Sequence, residues 1–247
     1  MTKAEAPNSF PETRWSLILD ARAKGDEPKA RRALEEVCSS YWKPLYAYAR
    51  MLGNSPLDAE DLTQSFFECL LENNLLASVD SERGRMRTFL LSCFVNHIHN
   101  LHRVRTAQKR GGDIQIVSLA GIQEVEREIS QTVDRSLTPD QVYDRQCALS
   151  LVEEVLQALE EEQVKAGRGN VYRALRPLLD PCATSTVGSQ EEIAMELGIS
   201  HGALRGALMR LRQRFREVTR LLISQTLRAP NERDIDEEVM LLRQSLE

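Results

Sequence analysis

Aromatic side chains are scarce, 5% of the 247 residues, and a β-rich core would draw on more of them. With Leu, Ala, Glu and Arg abundant, the composition favours helices over sheets. The five cysteines, Cys38, Cys69, Cys93, Cys147 and Cys182, show no paired spacing. That speaks against a disulfide framework or a zinc knot and for thiols in a reducing compartment. No stretch approaches the roughly 20 apolar residues needed to span a bilayer, and the N-terminus has no apolar signal core, so a cytoplasmic protein is expected. Histidines and glycine-rich loops do not accompany any carboxylate cluster. No metal, no cofactor and no catalytic activity are therefore expected.

The most informative absence is of acid. Between residues 83 and 112 the chain carries Arg83, Arg85, Arg87, Arg103, Arg105, Lys109 and Arg110 and no Asp or Glu. A second basic block, residues 205–220, is opposed only by Glu217. The net charge of −5 is thus unevenly spread, with acids collected between the two blocks and in the tail. Distribution matters more than the total for a polyanionic partner, and two basic surfaces imply two footprints.

Residues 189–215 have the pattern of a helix-turn-helix. Ser189-Gln190-Glu191-Glu192 is a capping box for a first helix over 190–197. Gly198 supplies the positive φ that ends it, and Ser200 caps a second helix from His201. Leu204, Leu208, Leu211 and Phe215 recur at steps of three and four, leaving Arg205, Arg210, Arg212, Arg214 and Arg216 to the other face. Such a face suits a DNA major groove. The plain alternative is an amphipathic helix pair with a solvated charged side.

Elsewhere the periodicity predicts a short helix over 13–23 and a helix from Lys29 that Pro44 must break or kink. Further helices are expected from Ser55-Pro56 to about 76, from 85 to 108, from the Thr138 cap to about 162, from 169 through 179, and in an acidic tail over 234–246. The expected division is a first helical domain over 13–112, a linker over 113–137 with a short extended piece at 114–119, a helix-turn-helix domain over 138–228 and a tail over 229–247.

Two segments invite functional readings beside structural ones. Asp58, Glu60 and Asp61 open a helix, where the dipole favours acids. Being costly to bury unpaired, they should stay exposed or meet a cationic partner. On the helix after Gly84, Arg87, Asn96, His97, Asn100, Arg103 and Arg105 offer donors to base edges and phosphates, and Phe89 could stack on an unpaired base. The alternative is that Phe89 and Phe94 are core residues.

Three motifs in this order, Tyr41-Trp42-Lys43-Pro44-Leu45-Tyr46, then Asp58-Ala59-Glu60-Asp61-Leu62-Thr63-Gln64-Ser65-Phe66-Phe67, then Met86-Arg87-Thr88-Phe89-Leu90-Leu91 with Asn96 and Arg103, resemble the promoter-melting and core-binding domain of bacterial sigma factors of the extracytoplasmic-function type. Residues 189–216 are similar to that family's second domain, and the resemblance spans roughly 13–227. It implies an all-α, two-domain, non-enzymatic initiation factor with core RNA polymerase and promoter DNA as partners and an anti-sigma factor as a further candidate. It also implies that Asp58, Glu60, Asp61, Gln64 and Phe67 meet the polymerase, and that the helix carrying Arg87, Phe89, Asn96, Asn100, Arg103 and Arg105 holds the opened non-template strand. Ser200, His201, Arg205, Met209, Arg210 and Arg212 would read the upstream element. The competing reading is a stand-alone helix-turn-helix regulator that binds operator DNA through residues 189–216.

Overall fold

The structure, a computed structural model, describes residues 13–14, 27–72, 84–108, 136–182 and 189–247. Eight α-helices are found among them: α1 (Glu27–Met51), α2 (Pro56–Glu72), α3 (Met86–Gln108), α4 (Pro139–Lys165), α5 (Gly169–Leu175), α6 (Gln190–Glu196), α7 (His201–Thr226) and α8 (Glu232–Gln244). No strand occurs among the described residues; one isolated antiparallel bridge joins Arg85 to Leu227. The expected helix over 13–23 and the linker with its extended piece lie outside the described residues, save for Thr13, Arg14, Ser136 and Leu137.

The helix starts follow their capping chemistry. The Ser55 hydroxyl accepts from the Asp58 amide at 3.2 Å and donates to its carboxylate at 2.6 Å. Thr138 and Gln141 form a reciprocal capping box, as do Ser189 and Glu192. Pro44 departs from expectation, since α1 runs unbroken from Glu27 to Met51 with the proline inside it. Pro44 is buried, as are Leu45, Tyr46, Ala47, Tyr48 and Ala49. Burial on nearly every side of that turn outweighs the one backbone hydrogen bond a proline removes. Pro177 acts more strongly: α5 stops at Leu175 and the chain tightens into a single 3-10 turn over Arg176–Leu178, where one helix through 179 was expected.

A relay of rings ties the first helices together. Phe66 of α2 meets Phe94 of α3 edge-on at 5.2 Å, Phe94 meets Tyr48 of α1 at 6.3 Å, and Tyr48 meets Tyr143 of α4 at 6.3 Å. Tyr143 belongs to the segment expected to open the second domain. With 27 residues, α4 is about 40 Å long and serves two cores. Its N-terminal half puts Val142, Tyr143, Cys147 and Ala148 into a cluster with α1, α2 and α3, which also takes Ile223 and Leu227 of the α7 end and Ile235 and Leu242 of α8. Its C-terminal half puts Val155, Leu156 and Leu159 against Tyr172, Leu175, Ile193, Leu204, Leu208 and Leu211. α4 thus contributes to both cores.

Candidate nucleic-acid interface

Helices α6 and α7 are joined by a tight turn. Gly198 sits at φ +63° between α6 and α7, and the Ile199 amide bonds the Ala194 carbonyl at 3.0 Å. Ser200 caps α7, accepting from the Ala203 amide at 3.2 Å, so its hydroxyl oxygen is engaged in the turn. His201 lies 3.4 Å from Glu191 of α6. Leu204, Leu208 and Leu211 point into the second core. Arg205, Arg210, Arg212 and Arg216 are exposed on the other side, with no ion pair among the described residues. Met209 stands between them 67% exposed. Arg214 leaves this row. Its guanidinium grips Glu162 of α4 in a two-point bond of 2.7 and 2.9 Å, which holds the Glu162 carboxyl below the usual range.

On α3, Asn96, Asn100 and Arg103 are exposed on one face, while Leu90, Phe94 and Ile98 are buried on the other. Phe89 is half-buried and packs against the first core. His97 turns sideways, its Nε2 2.9 Å from the Ser65 hydroxyl and its ring against Phe66. Burial lowers its pKa from the ordinary histidine value. Arg105 is described only as part of the α3 backbone. Arg87 corrects the expectation of an open polar face. Its side chain is only 12% exposed, bonded to Glu238 of α8 at 2.6 and 3.2 Å and to Asp144 of α4. Burial works against its charge, but the bond to Glu238 and the nearby carboxylates raise its pKa above the ordinary value. Burial pushes the Asp144 carboxyl up in spite of Arg87.

The acidic start of α2 is divided in the same way. Asp58 and Gln64 are exposed and Asp61 is half-buried. Glu60, expected to stay exposed or meet a cationic partner, is 5% exposed, and Phe67 is 6% exposed. Residues 60, 63 and 67 follow one another at helical steps, so all three share the stripe that α2 turns inward. An exposed strip of Asp58, Gln64 and Glu68 with Leu57 beside it remains. Sequence reading missed Leu57, Glu68 and the acids that meet Arg87. The one available signal for the latter was the surplus of acid in the tail opposite an acid-free helix.

No described helix is long and apolar enough to cross a membrane. An exposed arginine row on one helix and a separate basic helix are the features from which a nucleic-acid partner is read. Residues 38–108, less than a third of the chain, match the family model of sigma-70 region 2. The match covers α3 and α2 entirely with the second half of α1, and supports a sigma factor of the sigma-70 family acting with RNA polymerase at transcription initiation. Neither the curated proteins nor the solved structures compared with the chain gave a match.

Proposed function

We propose that this chain is a sigma factor of the extracytoplasmic-function type that directs core RNA polymerase to its promoters and assists strand opening. The observation that carries the reading is the order of two modules: a segment matching sigma-70 region 2, then a helix-turn-helix with an exposed arginine row. The outer side of α2, with Asp58 and Gln64 exposed and Asp61 half-buried, is the proposed polymerase contact. Asn96, Asn100 and Arg103, with Phe89 beside them, face the opened strand; amides and guanidinium groups suit base edges and phosphates alike. His201, Arg205, Met209, Arg210 and Arg212 read the upstream duplex. An operator-binding regulator needs only one reading head per subunit, and the region 2 match would then be without a use.

Size-exclusion chromatography with core polymerase, beside a gel shift with the chain alone, tests this. Co-elution, with specific promoter binding and run-off transcription only when core enzyme is present, is the expected result. Tight sequence-specific binding by the free chain without co-elution would replace the proposal with the stand-alone regulator.

A further inference from the structure

The arginines at the start of α3 are met by acids from the far end of the chain. Glu238 of α8 lies 2.7 Å from Arg85 Nε and takes Arg87 through both carboxylate oxygens at 2.6 and 3.2 Å, and Glu237 lies 3.7 Å from Arg85. Toward the start of the same helix, Glu232 and Asp236 pair with Arg220 of α7. The acids of α8 therefore neutralise arginines from both of the basic blocks that the sequence sets apart. The two-point grip on Arg87 has the geometry with which a guanidinium also holds a phosphate.

Apolar packing and ion pairs together hold α8 to the rest of the molecule. Asn231 caps α8 with its side chain at 2.9 Å from the Asp234 amide, so the helix begins as a unit of its own after Pro230. Its buried apolar residues are Ile235 and Leu242, with Val239 and Leu246 partly buried against the same core. Beneath Glu238 lies a cavity of about 40 Å³ in which Arg14, Arg87, Glu154 and Glu238 share the lining with Ile223 and Leu242. Interfaces built on buried ion pairs give less net stability than apolar ones of similar size, and a competing charge can take over a partner.

We propose that α8 is a displaceable acidic cover, an intramolecular competitor in which Glu238 stands where a phosphate of a bound DNA strand would stand at Arg85 and Arg87. The inference rests on the reading of α3 as a strand-binding helix. In the closed chain the start of α3 is withheld from DNA, and a bound strand displaces α8.

The test uses the full-length chain and a fluorescein-labelled single-stranded oligonucleotide, followed by anisotropy at fixed low salt. Glu238→Gln keeps the shape and removes the charge; Asp144→Asn is a second variant at a half-exposed position should the first fail to melt cooperatively. Glu161→Gln, at an exposed site on the far half of α4, controls for net charge alone. The expected result is affinity raised on the order of tenfold in the first two variants and little changed in the control, as one released arginine–phosphate contact warrants. Amide exchange in residues 232–244 of the wild type should also quicken when the oligonucleotide is added. Equal affinities in all four proteins, with exchange in α8 unchanged at saturation, would overturn the cover and leave the sigma-factor reading standing. Absence of binding in every variant, with no co-elution with core polymerase, would bring down both.

Discussion

Tyr143 donates its phenolic hydroxyl to the backbone carbonyl of Arg87 at 2.9 Å. One buried ring thus joins the first turns of α4 to the first turn of α3, beside the ion pairs that Arg87 makes with Asp144 and Glu238. The carbonyl of Arg87 keeps its place in the helix ladder, so the bond is an addition, not a replacement. Tyr143→Phe should lower unfolding free energy by about 0.5–1.5 kcal/mol, the usual net worth of such a bond. Urea denaturation checks it; an unchanged midpoint would show that the hydroxyl is equally served by water.

Gly198 sits at φ +63° with open space where a β-carbon would go. Its requirement is purely conformational, since no neighbour would be struck. Gly198→Ala should cost roughly 1–2 kcal/mol through the left-handed backbone alone. Exchange of the α6 amides should quicken while those of α1 stay protected. A stability equal to wild type would mean that the turn re-forms with another backbone.

Arg205 and Arg210 are exposed on the outer face of α7. Replacing either with alanine in the polymerase complex should cost on the order of 1–3 kcal/mol of promoter affinity at a base contact, or reduce the salt slope by about one at a phosphate contact. Filter binding over a salt series separates these outcomes. Unchanged affinity and slope in both variants would remove them from the interface.

Asn96 lies on the exposed face of α3, opposite Phe94. Asn96→Ala should leave the melting temperature in place, since surface substitutions usually change stability within about 0.5 kcal/mol. Permanganate reactivity of the promoter should fall in the reconstituted complex. Full reactivity with full stability would reduce this face of α3 to a solvated surface.

His97 lends a pH dependence of known sign. Its folded pKa is depressed by burial, so as pH falls below the ordinary value of about 6.5 the unfolded chain takes up the proton first. The stability it contributes is present above that value and is lost as pH falls through the folded pKa. His97→Gln should therefore lose less melting temperature than wild type between pH 7.5 and 5.5, scanned by circular dichroism. Identical losses would place the titration elsewhere.

Local chemistry was readable residue by residue. The caps at Ser55, Thr138, Ser189 and Ser200, the turn at Gly198 and the leucine spacing of α7 lie within a few residues of what they control, and the helices stand where these place them. The arginine row of the helix-turn-helix was legible for the same reason, because a helix with one apolar stripe has its other face decided by periodicity. Where a helix is packed on several sides, periodicity assigns no partner to each face. Glu60 and Phe67 turned inward on α2, Pro44 was kept inside α1 by the burial around it, and α4 was shared between two cores. The pairing of Arg87 with Asp144 and Glu238 joins residues 57 and 151 positions apart. Sequence determined that acids and arginines would be segregated along the chain; only the packing of α8 across α3, α4 and α7 decided which of them would meet, because Coulomb attraction acts through space and takes no account of order in the chain.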